Sequence, residues 1–204
     1  MITDNYKKLL KSIDSHGLDA NISIKPTHIG LDLGKHVAHN NLKTLLIRAN
    51  KTNNFLRIDM ENSETTDTTL NLYNECKKQY SEIGTVLQAY LYRSKADLKM
   101  LGADTNCNFR LCKGIYNEPP EIAIQDRQAI NDNFLQLLRY AFENNIYIGI
   151  ATHDLDLISK TYTLIDELKI PAKNFEFQVL YGVPMSGWLG KHLDNGYKVR
   201  VYVP

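Results

Sequence analysis

Several features typical of other protein classes are missing from this sequence of 204 residues. No apolar run reaches the roughly 20 residues that a transmembrane helix needs, and the polar N-terminal segment lacks the apolar core of a signal peptide. The formal net charge of +1 leaves no basic excess that could meet nucleic-acid phosphates. The sequence therefore predicts a cytoplasmic protein that binds no nucleic acid, with peripheral membrane contact left open.

Cysteine and glycine are arranged in ways that exclude particular sites. The three cysteines, Cys76, Cys107 and Cys112, are odd in number and have no C-x-x-C spacing. This pattern favours free thiols in a reducing compartment over a disulfide framework or a zinc site. The segment HIGLDLGKH, which follows the first β-rich run, has two glycines but no G-x-G core. It therefore lacks the dinucleotide-binding fingerprint.

Two histidines, His36 and His39, have the i,i+3 spacing that can bind a metal from one helical face. The sequence places no carboxylate or cysteine to complete such a site. We interpret the pair as part of a solvent-exposed helix face, and we predict no metal site.

The chain does contain seven short β-rich runs with segments of helical spacing between them. Those segments carry apolar residues every three or four positions, as at Leu70 and Tyr73, and at Phe134, Leu137, Leu138 and Ala141. Alternation of strands and helices predicts a parallel α/β sheet, either open or closed into a (β/α) barrel. Because no dinucleotide loop is present, the barrel is favoured, as one domain spanning residues 1–204. The β-rich runs are 21–25, 55–60, 84–91, 109–114, 147–152, 175–180 and 197–203.

Polar residues recur at the ends of these runs. In a (β/α) barrel the carboxyl ends of the strands, with the loops that follow them, form the active site. The sequence therefore predicts a pocket lined by the strand-end residues, which are Lys25, Asp59 with Glu61, Gln88, Arg110 with Lys113, Thr152 with His153 and Asp154, Glu176 with Gln178, and Tyr202.

The cations in FRLCKGIY, Arg110 and Lys113, permit two interpretations. They could bind an anionic ligand or stabilise negative charge that develops on it. Alternatively, they could form an internal ion pair with Asp59 or Glu61. Gly114 follows directly, where a residue without Cβ would let a flat ligand approach the backbone, although a plain strand-end turn explains it equally well.

Other strand-end residues also have alternatives. Asp59 could hold a cation or a metal, or it could form a salt bridge at the barrel mouth. His153 could donate a hydrogen bond to a cofactor, and Asp154 is expected to cap the following helix. Lys25 or Lys113 could be a Schiff-base lysine, as in barrel aldolases.

Seven motifs, in order and spacing, resemble the catalytic barrel of the proline dehydrogenase family. The resemblance runs from about residue 20 to the last residue, and its motifs are ISIKPTHIGLDL, RIDMENS, VLQAYL, RLCKGIY, IATHD, FEFQVLYGV and YKVRVYVP. It implies a distorted, TIM-type (β/α)8 barrel that binds FAD. It also implies oxidation of L-proline to Δ1-pyrroline-5-carboxylate, with hydride transfer to the flavin and electrons passed on to a membrane quinone.

The resemblance also implies roles for individual residues. Asp59 and Arg110 would be catalytic, Asp59 by orienting a substrate-binding arginine and Arg110 near flavin N5. Lys25 would hold the proline carboxylate, and Tyr202 would pack on the proline ring. The cofactor-binding residues would be Met60, Gln88, Arg110, Lys113, Gly114, Ile115, Thr152 and His153, with Gln178 toward the adenine side.

The sequence departs from the family pattern at both ends. It begins at the helix that should lead into the second strand, and it stops at Pro204, before a last helix whose two arginines and glutamate clamp the substrate. We therefore expect an incomplete barrel of about seven strands. The chain could be a truncated enzyme, a piece of a longer chain, or part of a split protein completed by another chain or by oligomerisation. The alternative functions are a non-catalytic remnant that binds flavin weakly or not at all, and an aldolase-type barrel.

Overall fold

The computed structural model describes residues 2–103 and 106–204. They fall into two compact units, one that ends at Val86 and a second, Leu87–Pro204. Each unit is built from parallel strands with helices between them, as the alternation of β-rich runs and helical segments predicts.

The first unit consists of three helices and two strands, and it contains the start of a third strand. Strand β2 pairs in parallel with β1, with Ile22 opposite Leu56, and also with β3, with Leu56 opposite Ile83. Two short 3₁₀ turns, Thr27–Ile29 and Leu31–Leu33, follow β1. The elements are α1 (Ile2–Ser15), β1 (Ile22–Ile24), α2 (Lys35–Lys51), β2 (Leu56–Ile58), α3 (Ser63–Lys77) and β3 (Ile83–Gln88), whose last two residues belong to the second unit.

The second unit contains four further strands, which pair in parallel in chain order. A short 3₁₀ turn, Ala172–Asn174, precedes the third of them. The elements are α4 (Ser94–Gly102), β4 (Asn108–Cys112), α5 (Arg127–Glu143), β5 (Tyr147–Ala151), α6 (Leu155–Leu168), β6 (Phe175–Leu180), α7 (Trp188–Asp194) and β7 (Val199–Tyr202).

The apolar stripes predicted for α3 and α5 are confirmed. Leu70 and Tyr73 are buried in α3, as are the four predicted residues of α5. Strand β6 is buried on both faces, with Phe175 and Phe177 on one face and the polar pair Glu176 and Gln178 on the other. Successive side chains of a strand point to opposite faces, so Glu176, Gln178 and Leu180 lie on the same face of β6. Of these three residues, only Leu180 is apolar.

An aromatic cluster joins α6, β6 and α7. His192 is fully buried, its ring is stacked on Phe177 at 3.8 Å, and its Nδ1 lies 2.9 Å from the hydroxyl of Tyr162. The rings of Trp188 and Tyr197 pack against Tyr162 at 5.3 Å. Burial, with a smaller effect of Lys191, lowers the pKa of His192 to about 4, so the imidazole is neutral at pH 7.

The seven strands form as predicted, although several are shorter than the runs that predicted them. The run 84–91 extends past β3, because Leu91 N turns back to donate to Gln88 O at 3.2 Å. The run 109–114 extends past β4, because Gly114 has a φ of +116° and turns the chain away. Each of the three cysteines is a free thiol. Over the described ranges, no helix is long and apolar enough to cross a membrane.

Candidate functional site

In the first unit, three predicted site residues lie just beyond β1 and β2. Lys25 follows the last residue of β1 and is exposed, whereas Asp59 and Met60 follow β2 and are each 7% exposed. The Asp59 amide donates to Ile24 O at 2.8 Å, which extends the parallel ladder by one residue. Lys25 and Asp59 therefore stand at the carboxyl ends of neighbouring strands.

A second carboxylate, Glu61, joins the loops that follow β1 and β2. It accepts hydrogen bonds from the Thr27 amide at 2.9 Å and from the Thr27 hydroxyl at 2.8 Å. Below these loops, the buried side chain of Arg57 donates to Thr85 O at 2.9 Å. These contacts fix the geometry of the loops on which Lys25 and Asp59 stand.

In the second unit, a chain of hydrogen bonds connects β4, β6 and β7, and we call it the Glu176 chain. Arg110 Nε donates to Gln178 Oε1 at 2.5 Å, and Gln178 Nε2 donates to Glu176 Oε1 at 2.7 Å. Glu176 also accepts from Arg200 Nε at 3.1 and 3.3 Å, and from the Tyr147 hydroxyl at 3.2 Å. Four adjacent strands, β4 to β7, thus share one polar network around a buried carboxylate.

Two predicted site residues, Arg110 and Tyr202, are brought together beside this chain. The guanidinium carbon of Arg110 lies 4.9 Å from the centre of the Tyr202 ring. A cation over an aromatic face is attracted by the ring quadrupole. Gln178 and Tyr202 therefore hold the Arg110 guanidinium from two directions.

Lys113 forms an ion pair with Asp154, which is the residue that follows β5 by three positions. Asp154 Oδ2 also accepts from Asn131 at 3.2 Å, while Oδ1 accepts from the Leu157 amide at 3.1 Å. Burial alone would raise the pKa of Asp154, but the hydrogen bonds from Lys113, Leu157 and Asn131 lower it to about 2. The predicted helix cap is confirmed, and the structure pairs Lys113 with this capping residue.

Thr152 and His153 occupy the end of β5, beside the Lys113–Asp154 pair. Thr152 is buried, and its Oγ1 accepts from the Asp154 amide at 3.2 Å. His153 Nε2 accepts from the Leu180 amide at 3.0 Å, and burial lowers the pKa of its imidazole. A neutral imidazole that accepts at Nε2 carries its proton on Nδ1, which is then the donor available to a ligand.

Gly114 makes a close contact that no other residue type would permit. Its φ is +116°, and a Cβ at this position would lie 2.2 Å from Cδ1 of the Tyr90 ring. The Tyr90 amide donates to Lys113 O at 2.8 Å, so the two segments run side by side. Burial raises the pKa of Tyr90 to about 12. The space that was predicted to admit a flat ligand at Gly114 is therefore filled by the buried Tyr90 ring.

The remaining predicted cofactor residues differ widely in exposure. Ile115 is 88% exposed, whereas Gln88 at the end of β3 is 2% exposed. The Gln88 carbonyl accepts from the Ser94 hydroxyl at 2.5 Å, which ties the end of β3 to the start of α4. Ile115 is thus an apolar side chain presented to solvent directly after Gly114.

The His36 and His39 pair lies on α2, on a solvent-exposed face as interpreted from the sequence. His39 Nε2 lies 3.6 Å from a carboxylate oxygen of Glu75, and both side chains are more than a third exposed. No cluster of three or more potential metal ligands occurs within residues 2–103 and 106–204.

The prediction that Arg110 and Glu176 stand at strand ends is wrong: Arg110 is the third of five residues in β4, and Glu176 is the second residue of β6. The connection between them was not predicted. The signal was present, because Glu176 and Gln178 alternate with Phe175, Phe177 and Val179 in an otherwise apolar strand. Two polar residues on one buried face require polar partners. The partners themselves come from other strands, which the pattern does not identify.

The donors of the second unit have the chemistry that a negatively charged, flat cofactor requires. Arg110 and Lys113 are cationic, and Thr152 and His153 add neutral donors at the adjacent strand end. This set fits the phosphates and the polar ring edge of a flavin nucleotide.

Comparison with known proteins places these motifs in a family. The model of the family described as proline dehydrogenase matches residues 2–204. Proline dehydrogenase 1 of Bacillus subtilis subsp. natto is 39% identical over 204 residues, and proline dehydrogenase of Deinococcus radiodurans is 32% identical over 207 residues. These alignments cover 100% and 98% of this chain but only 67% and 66% of the relatives.

Solved structures with the same fold are also known. The chain superposes on proline utilization A from Bdellovibrio bacteriovorus with a TM-score of 0.88 at 23% sequence identity. The match covers 100% of this chain and 26% of that one. The likeness shows a (β/α)8-type barrel fold, to which the parallel strands described above belong. The chain therefore spans about two thirds of its curated relatives and about a quarter of this larger protein.

Proposed function

Because this chain belongs to the proline dehydrogenase family, we propose that it is an FAD-dependent oxidoreductase that converts L-proline to Δ1-pyrroline-5-carboxylate. The observation that carries the proposal is the donor set of the second unit. Arg110 lies in the middle of β4, Lys113 directly follows β4, and Thr152 and His153 directly follow β5. The family match supports the proposed reaction, and the donor set supports the proposed cofactor.

We propose that the second unit binds the cofactor. FAD, when bound, supplies the two-electron acceptor that oxidation of a C–N bond requires. Arg110 would place positive charge near the part of the ring that becomes negative on reduction. The Nδ1–H of His153 and the Thr152 side chain would bind the phosphate or ribitol part. Gln88 would hydrogen-bond the ring edge.

Gly114 has a distinct part in this proposal. The backbone from Lys113 to Ile115 would run along the cofactor, and Gly114 holds this backbone against Tyr90 by leaving room for the ring where a Cβ would stand. The exposed side chain of Ile115 would then cover apolar cofactor surface and exclude water. Met60, which follows β2 and is 7% exposed, stays a sequence prediction as a cofactor contact.

Three further residues would act on the substrate. Lys25 is exposed at the end of β1, and its ammonium would bind the proline carboxylate. Tyr202 would pack its ring on the proline ring, and Asp59 would orient a substrate-binding cation. In this reaction the proline amine loses a proton, and the proline ring loses a hydrogen together with two electrons. A buried, preorganised carboxylate such as Asp59 favours a fixed arrangement of charges around that step.

We further propose that electrons leave to a quinone, which would bring the protein into peripheral contact with a membrane, and that the chain acts in the cytoplasm as part of a larger barrel domain. A complementing chain or oligomerisation would be compatible with this arrangement. An aldolase-type reaction is less well supported, since a Schiff-base lysine must present its amine to a carbonyl substrate, whereas Lys113 Nζ is paired with Asp154.

The test is an anaerobic flavin titration of the purified chain. We expect added FAD to be bound with a shifted visible spectrum, and proline to bleach it. A bound flavin that proline does not bleach would indicate a cofactor-binding remnant. A chain that binds no flavin would contradict the proposal, and borohydride trapping of a carbonyl substrate on Lys25 or Lys113 would favour the aldolase alternative.

A further inference from the structure

Glu176 is a buried carboxylate to which the proposed reaction assigns no role. It is 3% exposed, and Arg200, Tyr147 and Gln178 donate hydrogen bonds to it. Lys198 Nζ adds a second positive charge at 3.9 Å. Burying a carboxylate is costly unless it is paired and hydrogen-bonded. Such a fully surrounded charge constrains the groups around it.

The charge determines the direction in which the Gln178 amide points. An ionised carboxylate only accepts hydrogen bonds, whereas a glutamine amide can donate from its nitrogen or accept at its oxygen. Glu176 therefore takes the Gln178 Nε2 group, and Gln178 Oε1 is directed toward Arg110 Nε. If the amide were reversed, its oxygen would face the carboxylate and its NH₂ group would face a guanidinium, and both contacts would be repulsive.

The strand between these residues is shaped to let the contact form. Strand β5 lies between β4 and β6, and Gly149 is opposite Arg110 on one side and opposite Glu176 on the other. The Gln178 side chain reaches Arg110 by passing over Gly149. A Cβ at Gly149 would lie 2.5 Å from Gln178 Nε2 and 3.0 Å from its Cδ. The Gln178 amide thus occupies the space in which a side chain at position 149 would lie.

We propose that Glu176 is a positioning residue that acts through Gln178 to fix the Arg110 guanidinium. The inference rests on the proposed function, in which Arg110 contacts the cofactor. Fixing Nε on one edge, with the guanidinium over the Tyr202 face, sets the plane of the group. The other four N–H donors of an arginine lie on its two terminal nitrogens. Glu176, acting through Gln178, therefore sets the direction in which these donors point toward the flavin.

The first experiment needs no cofactor. In the full chain labelled with ¹⁵N-arginine, the Nε–H resonance of Arg110 is assigned by its loss in Arg110→Lys. We expect this proton to exchange slowly with solvent, and Glu176→Gln to accelerate its exchange by at least about tenfold, as loss of a fixed hydrogen bond predicts. Glu167→Gln is the matched control, because Glu167 pairs with an arginine, Arg139, on the exposed helix surface. The control should leave the Arg110 resonance unchanged.

A second variant keeps the test informative if Glu176→Gln does not fold. In Gly149→Ala the three atoms nearest the new Cβ all belong to the Gln178 side chain, which can move aside, so we expect the Glu176–Arg200 pair to stay intact. We expect the same accelerated exchange at Arg110. Unchanged exchange of the Arg110 Nε proton in Gly149→Ala, or in a folded Glu176→Gln, would overturn the proposal.

The second experiment measures the consequence for catalysis and uses the FAD-loaded chain. Reduction of the bound flavin by proline should be about 10- to 100-fold slower in Glu176→Gln, because a misplacement of about 1 Å can cost a factor of about 100. KM for proline should stay within about twofold, since uniform substrate binding is not altered. An equal loss of flavin binding and activity, with an unmoved Arg110 resonance, would indicate a purely structural role. If the unmodified chain binds no flavin, the proposed function fails, yet the exchange experiment still tests the Glu176 chain.

Discussion

Asp154 caps helix α6 with one carboxylate oxygen and pairs with Lys113 through the other. The oxygen that faces Lys113 also accepts from Asn131, so one side chain links the end of β4, helix α5 and the start of α6. A helix cap is ordinarily a local device. Here it also determines the position of a cation proposed to bind the cofactor.

Substitutions at Asp154 separate these two roles. Asparagine remains a good N-cap but removes the charge, whereas alanine removes both. We expect Asp154→Ala to lower the free energy of unfolding at pH 7 by more than Asp154→Asn does. The control is Asp126→Ala, which removes a cap from α5 that accepts only from the Ala129 amide at 2.8 Å and should cost about 1 kcal/mol. Equal losses in Asp154→Ala and Asp126→Ala, measured by urea unfolding, would contradict a role beyond capping.

The same carboxylate predicts an acid dependence of stability. The pKa of Asp154 is about 2 in the folded chain and near 3.8 when unfolded. Its stabilising contribution is therefore complete above pH 4 and is lost as the pH falls toward 2. The difference in unfolding free energy between the unmodified chain and Asp154→Asn should shrink over that interval. A difference that stays constant down to pH 2 would show that the Asp154 charge does not stabilise the fold.

His192 predicts a second pH dependence, in a different range. Its pKa falls from 6.5 to about 4 on burial, so the unfolded state binds more protons between these values. Stability is full above pH 6.5 and decreases as the pH falls toward 4, by at most about 3 kcal/mol. His192→Phe keeps an aromatic ring against Phe177 but cannot titrate, and should flatten the profile. His36→Phe, at an exposed position on α2, is the control that should leave the profile unchanged.

Gly114→Ala should lower the stability of the fold by more than the addition of a single methyl group suggests. Alanine must adopt a φ of +116°, and its Cβ would lie 2.2 Å from the Tyr90 ring. Strain of this kind costs about 1–3 kcal/mol, and displacement of the buried ring adds to it. Gly182→Ala, with a φ of +80° and open space around it, carries the backbone strain without the ring contact. A thermal melt in which the two variants lose the same stability would argue against a specific role for Tyr90.

In the first unit, Thr27→Val should loosen the loop that carries Lys25. Valine has the shape of threonine but lacks the hydroxyl that donates to Glu61 at 2.8 Å. A hydrogen bond to a charged group contributes about 1.5–3 kcal/mol, and partial exposure of this one places it at the lower end. Thr27→Ser retains the donor and should restore most of the loss. Urea unfolding curves that coincide for Thr27→Val and the unmodified chain would exclude a structural role for this bond.

The sequence was sufficient to predict the seven strands, the buried stripes of α3 and α5, and the cap at Asp154, because each depends on residues close together in the chain. It could not predict the partner of Lys113. Asp59, Glu61 and Asp154 are chemically alike, and only strand order and loop path select Asp154. The period-two pattern in β6 revealed that Glu176 and Gln178 share a face, but their link to Arg110 depends on register across β5.

Gly149 and Gln178 also limit how sequences of this family can drift. Any side chain at position 149 would occupy the volume that the glutamine amide now fills, so such a change displaces the amide from Arg110 as long as Gln178 is present. A smaller residue at position 178 in turn leaves a buried carboxylate and a guanidinium without their intermediary. A substitution at position 149 or 178 alone therefore disturbs the Glu176 chain, and we expect the two positions to change together or not at all.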